Sequence, residues 1–303
     1  MPEPAAPRGI AVTGATSVIG RFLLPRLAQA GYEVHAISRQ PRTRSDMPEA
    51  GATWHVADIA DPGQLPQVDA RILIHLAPLW LLPPLLPILG SRKIVRIIGF
   101  GSTSLFSKTA SADGSERQLA ARLGLAEETI ARTSHDLEIR WTVFRPTLVY
   151  DGVHDGNVAM IRRFIRRYGF FPLLGKARGL RQPVHADDLA QACLQALDHP
   201  ATFCRAYNLS GGETLEYRAM VERIAATPGR QAHFIRIPVW LFHGGIRLAR
   251  MLPGQRHLST EMATRMNVDL CFDHADATRD FGFSPRPFLL QRNDGGNRPA
   301  PSS

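Results

Sequence analysis

Short apolar runs alternate with helix-periodic segments through the first half of the chain. Gly9–Thr13, Glu33–Ser38, Thr53–Ala57, Arg71–Leu76, Lys93–Phe100 and Arg140–Arg145 have the mostly apolar character of strands covered on both faces. Ile19–Ala30 and Glu116–Arg132 carry apolar residues at helical spacing, and the second is expected to end near Thr133–Ser134. Strands joined by crossovers predict an α/β fold built on a doubly wound parallel sheet. After Tyr150 the pattern changes to helical segments over Val158–Tyr168, Ala186–Asp198 and Leu215–Ala226, separated by glycine-rich turns. A smaller C-terminal lobe over the carboxyl ends of the strands is therefore expected. The division predicted is a sheet domain over residues 8–150, to which 183–210 returns, a smaller lobe over 151–182 and 211–290, and a disordered tail over 291–303.

Ile72–Leu89 is apolar enough to mimic a membrane span, but Pro78, Pro83, Pro84 and Pro87 would break a spanning helix. It reads instead as a buried strand followed by an apolar loop or short helix. Val239–Leu252, with Arg247 and Arg250, reads as an amphipathic surface helix. Peripheral membrane contact there is the lesser alternative, and membrane contact is otherwise not expected. The composition, 44% hydrophobic and 21% charged over 303 residues, excludes a disordered chain, a collagen-like repeat and a small disulfide scaffold. Cys193, Cys204 and Cys271 show neither metal-ligand spacing nor an even disulfide count. They read as reduced thiols, and with no signal-peptide core before Gly9 a cytoplasmic protein without a metal site is expected.

The net charge is +9, and Lys93, Lys108 and Lys176 are the only lysines, so the excess is arginine. Arginine-rich codon usage explains this blandly. An anionic ligand such as a phosphate-bearing cofactor explains it chemically, because guanidinium forks match phosphate bidentately. No basic helix of nucleic-acid-binding type accompanies the charge, so no nucleic-acid partner is expected.

The strongest local signal is Val12–Gly20, VTGATSVIG, which leaves a strand and opens a helix. Gly14 permits a tight turn, Gly20 permits close helix–sheet packing, and the helix start offers free N–H groups to a pyrophosphate. A structural turn without a ligand is the alternative. Gly14, Thr16, Ser17, Val18, Ile19 and Gly20 are the cofactor-binding candidates here. Ser17 stands where a middle glycine would let the backbone approach the diphosphate, though its hydroxyl can donate to a phosphate oxygen. About twenty residues on, Ser38 and Arg39 close the second strand where an NAD site usually places a carboxylate. With Arg42 and Arg44 behind them they favour NADP, with NAD as the alternative; solvated loop arginines are the plain reading.

These residues resemble the extended and atypical short-chain dehydrogenase/reductase superfamily, specifically its NAD(P)-dependent epimerase/dehydratase branch. The likeness implies a Rossmann domain with a substrate lobe. It also implies that Asp58 and Ile59 hold the adenine, that Leu76 and Ala77 pack against the cofactor, and that Ser102 is the catalytic hydroxyl. Arg145–Tyr150, Arg181–Asp188, Tyr207–Leu209 and Phe281–Pro285 resemble the family's later segments in the same order.

One departure stands out. The family uses a tyrosine base with a lysine four residues later, but no Tyr lies between Tyr32 and Tyr150 and no Lys between Lys108 and Lys176. Gln118 and Arg122 have the spacing without the chemistry, since an amide is no base and an arginine stays protonated. His185 and Tyr150 are the remaining groups of suitable type, each more simply structural. Asp187 or Asp188 reads as a helix cap. Arg162, Arg163, Arg166 and Arg167, with Lys176, Arg178 and Arg181 downstream, are either a solvated face or a clamp for an anionic substrate, with Arg181 the best single candidate. Two functions follow. One is an NADP(H)-binding oxidoreductase or epimerase acting on a small or sugar-nucleotide substrate, polarised by Ser102 or Thr103. The other is a catalytically silent NADP-binding sensor or assembly protein, similar to the dehydrogenase-like accessory subunit of respiratory complex I. The oligomeric state is left open, a homodimer included.

Overall fold

The computed structural model describes residues 8–40, 51–226, 233–242 and 261–288. Arg42, Arg44, most of Val239–Leu252 and the 291–303 tail lie outside them. Seven parallel strands form the central sheet. They are β1 (Gly9–Thr13), β2 (Glu33–Ser38), β3 (Ala52–Val56), β4 (Ile72–His75), β5 (Arg96–Phe100), β6 (Arg140–Pro146) and, after four short strands, β11 (Arg205–Leu209). Those four are β7 (Val149–Tyr150), β8 (Phe170–Leu174), β9 (Leu180–Arg181) and β10 (Val184–His185), and β12 (Leu215–Glu216) and β13 (His233–Ile237) follow. The sheet order β11-β6-β5-β4-β1-β2-β3 reverses direction at β1, the switch point of a doubly wound Rossmann sheet.

The helices are α1 (Val18–Gln29), α2 (Leu86–Ser91), α3 (Ser104–Ser107), α4 (Gly114–Asp136), α5 (Val158–Tyr168), α6 (Ala186–Leu197), α7 (Tyr217–Ala225), α8 (Glu261–Asn267) and α9 (Ala275–Phe281). One face of the sheet is covered by α1 and α6, whose Leu23, Leu27, Leu189 and Cys193 share a core with Ile10, Val12, Ile74 and Phe144. The other face is covered by α2, α4 and the proline-broken segment before α2, through Leu79, Leu82, Leu85, Leu123 and Ile130. The apolar run after β4 is thus a string of 3-10 turns buried on the sheet, and among the described residues no helix is long and apolar enough to cross a membrane.

A third core joins α5, α7 and β8 through Ile161, Ile165, Leu173, Met220 and Ile224. It forms a smaller lobe at the carboxyl end of the sheet. Two details differ from the sequence reading. The segment expected to start a helix at Leu215 first makes β12, antiparallel to β9, and turns helical only at Tyr217. Ala277, Phe281 and Phe283 belong to the core under α1 and α6 rather than to the lobe, because their apolar side chains close the sheet edge beside Phe144 and Tyr207.

Candidate cofactor and active site

At the sheet's switch point the chain passes from β1 into α1 through Gly14. Gly14 has φ +66°, and a Cβ there would lie 2.5 Å from the Ala77 nitrogen and 2.7 Å from the Leu76 carbonyl carbon. A Cβ on Gly20 would lie 2.1 Å from the Ala15 oxygen. Both positions therefore admit only glycine without backbone movement. Thr16 is exposed, while Ser17 and Val18 are half-buried and Ile19 is buried, so the loop's tip faces solvent above the first turn of α1.

Ser17 is the N-cap of α1: its Oγ accepts from the Gly20 N–H at 3.1 Å. The hydroxyl proton remains free to be donated. Beneath the loop, Thr13 and His75 are fully buried and joined, Thr13 Oγ1 to His75 Nδ1 at 2.8 Å, with His75 Nε2 3.2 Å from the Pro78 carbonyl. Burial pushes the His75 pKa down to about 4, so the ring is neutral, donates to Pro78 and accepts from Thr13. This pair fixes the segment carrying Leu76 and Ala77 against Gly14. Sequence reading missed His75 because a histidine in an apolar strand carries no spacing signal.

Around the rest of the nucleotide edge, the Ser38 hydroxyl bonds both the carbonyl and the N–H of Gln40, closing a turn that leaves Arg39 exposed. Arg39 makes no ion pair among the described residues. Asp58 is half-buried with Oδ1 accepting from the Ala60 N–H at 3.0 Å, and Ile59 beside it is buried.

The reaction side lies where β5 and β6 end. Ser102 Oγ accepts from the Ser104 N–H at 3.1 Å and keeps its own proton free, whereas the buried Thr103 spends its hydroxyl on the Pro146 carbonyl at 3.2 Å. Of the two expected polarising donors, Ser102 is the available one. Next to it Glu127 and Arg145 form a bidentate pair, with Arg145 Nε 3.0 Å from both carboxylate oxygens. The Arg145 guanidinium lies 5.2 Å from the Phe106 ring centre, and Phe272 of the smaller lobe lies 5.9 Å from Phe106. Glu127 was legible only through helical phase: it shares the inward face of α4 with Ala120, Leu123 and Ile130.

The remaining candidates take these places. Gln118 and Arg122 are exposed, and Arg122 stacks on Trp80 at 4.2 Å, while Leu119 and Leu123 occupy the inward face. Arg181 is 3% exposed and donates to the carbonyls of Leu180, Val268 and Arg265 while lying over Tyr217. A guanidinium so committed ties β9 to α8. His185, not an aspartate, caps α6: its Nδ1 accepts from the Asp187 N–H at 3.1 Å. Asp187 pairs with Arg26 and Arg286, and Asp188 with Arg286. Burial, then the neighbouring Arg286, holds the His185 pKa below its ordinary value. Tyr150 is 1% exposed between His185 and Phe288, so neither group reaches the cleft as a base. Arg163, Arg166 and Arg167 are exposed on α5, the solvated face.

Residues 10–79 match the model of the NAD dependent epimerase/dehydratase family. The match covers β1 to β4 and the glycine loop. The chain is similar to an uncharacterized protein of Mycobacterium tuberculosis, 28% identical over 234 residues, which are 76% of this chain and 24% of that one. It thus spans about a quarter of that relative's length. It is also similar to the NAD(P)H azoreductase of Xenophilus azovorans, 23% identical over 75% of this chain and 77% of that one. Among solved structures it resembles the dTDP-glucose 4,6-dehydratase DesIV of Streptomyces venezuelae with NAD bound, at TM-score 0.70 and 14% identity over 93% of each chain. The fold is a Rossmann sheet, and residues 10–79 carry the match to the NAD dependent epimerase/dehydratase family.

Proposed function

We propose that the protein binds NADP(H) and reduces a small acceptor without a tyrosine–lysine pair. The single observation carrying the cofactor part is the Gly14 approach, where the loop and the end of β4 are so close that only a glycine fits beneath a diphosphate. The exposed Arg39, at the end of β2 with no carboxylate in the acceptor position of an NAD site, supports NADP over NAD.

When bound, the dihydronicotinamide supplies a hydride to an electrophilic atom of the acceptor. The chain's own part is to place Ser102 as hydrogen-bond donor to the developing negative charge and to line the cleft with Phe106, Phe272 and the Arg145–Glu127 pair. With leucines on the inward face of α4, the proton comes from solvent. Acceptors whose hydride adduct is a weakly basic anion, such as quinones, suit this better than a sugar hydroxyl that must be deprotonated, and an azo acceptor fits where water protonates its nitrogen as the hydride arrives. The same leucines favour a second reading, a silent NADP-binding sensor or assembly protein.

A fluorescence titration tests the cofactor part. NADPH should bind roughly tenfold or more tighter than NADH, as one charge-assisted phosphate contact implies, and Arg39→Ala should remove most of that difference. Equal affinities in the wild type would sink the NADP assignment. Turnover of purified protein with NADPH across quinones, azo compounds, ketones and nucleotide-sugars then separates the readings. Reduction of quinone or azo acceptors, slowed in Ser102→Ala, is expected; robust UDP-sugar epimerisation would overturn the proposal, and binding without turnover would select the sensor.

A further inference from the structure

At the opposite, amino-terminal edge of the sheet, four neighbouring strands each have an arginine at or just before their first residue. Arg140 opens β6, Arg96 opens β5, and Arg71 and Arg8 immediately precede β4 and β1. Register aligns them: Arg96 lies opposite Arg140 and beside Ile72, the residue after Arg71. All four line a cavity of about 520 Å³ with Asp69, Asp198 and Phe203. The volume is that of a small-molecule site.

Its charges are unevenly held. Arg8 takes Asp198 at 3.2 Å, whereas Arg71 and Arg140 make no ion pair among the described residues. Arg96 is 4% exposed and, among the described residues, donates to neutral acceptors: the carbonyls of Leu197, Ala196, Ile97 and Arg140 and the hydroxyls of Thr142 and Thr202. It is thus a fixed, buried positive charge that no carboxylate of the described residues touches, a costly arrangement that a nearby anion relieves. The guanidiniums of Arg96 and Arg140 lie 4.8 and 4.9 Å from the Phe203 ring centre, which holds Arg140 at the cavity wall.

We propose that this cavity is a second binding site, distinct from the cofactor loop at the other end of the strands, for a small polyanion bearing phosphate or carboxylate groups. Arg71 and Arg140 supply the free forks, Arg96 supplies the buried field, and Asp69 and Asp198 set the rim.

Titration calorimetry on the full chain with pyrophosphate and, separately, citrate tests it. One saturable site is expected, weakened at least about tenfold in the double variant Arg71→Ala/Arg140→Ala and unchanged in the charge-matched control Arg132→Ala/Arg163→Ala. The tighter of the two probes assigns phosphate or carboxylate. Because Arg71 and Arg140 are exposed and make no ion pair among the described residues, with only the Arg140–Phe203 stack lost, the thermal midpoint of the double variant should stay within a few degrees of the wild type. Absence of saturable binding by either probe, or equal weakening in both double variants, overturns the proposal.

Discussion

The two halves of the cleft at the carboxyl end of the sheet are built differently. On the β1 side the site is backbone: Gly14 and Gly20 admit no side chain, and a buried Thr13–His75 pair fixes the segment that abuts them. On the β5–β6 side the site is side chains, and those present are a paired Glu127–Arg145, a single free hydroxyl on Ser102 and leucines on the inward face of α4. Backbone geometry survives sequence drift because the whole sheet enforces it. A proton relay depends on two side chains and disappears with two substitutions that the packing tolerates. That difference bears on the proposed function: the glycine loop rests on backbone geometry, whereas α4 carries no tyrosine–lysine pair.

The sharpest way to break this contrast is Gly14→Val. A β-branched residue at φ +66°, with its Cβ 2.5 Å from a backbone nitrogen, forces the loop away from β4. NADPH affinity should fall a hundredfold or more, about 2.7 kcal/mol, with a lower thermal midpoint. Wild-type binding by Gly14→Val, in a folded sample, would show that the loop is not the site.

The next effect concerns the arginine that sequence reasoning placed in the substrate site. Arg181→Met keeps the stem but removes the donor to three carbonyls, of which, among the described residues, only that of Leu180 keeps a partner, the Leu270 N–H at 2.9 Å. A loss of about 2–3 kcal/mol in chemical denaturation is expected, with acceptor kinetics little changed. Intact stability together with a raised KM would restore the clamp.

The alternation of apolar runs made the sheet legible: six strands and their crossovers follow from period and length, because a strand buried on both faces must be apolar throughout. The glycine loop was legible because its conformation admits little else. Roles decided by three-dimensional neighbours were not. The aspartates after His185 look like caps in sequence, yet Arg26 and Arg286, 161 and 98 residues away in the chain, draw them into ion pairs and leave the cap to His185. Arg181 lies in a stretch with Lys176 and Arg178, two exposed cations, and only the carbonyls of α8 and the loop after it reveal its burial. The arginine row at the amino edge was invisible because its members are scattered along the chain and only parallel register aligns them.

The smallest effect tests how Ser17 serves both jobs on the backbone side. Its Oγ caps α1 by accepting from Gly20, while the hydroxyl proton points free. Ser17→Ala removes the cap, so stability should fall by about 1 kcal/mol. If that proton also reaches the diphosphate, NADPH affinity should drop a further several-fold, one neutral hydrogen bond's worth. Ser17→Gly separates the two. It restores the close backbone approach and costs only a few tenths of a kcal/mol as a cap, so it should bind NADPH at least as well as the wild type. Weaker binding by Ser17→Gly than by Ser17→Ala would show that the loop's rigidity, not its backbone approach, governs the cofactor.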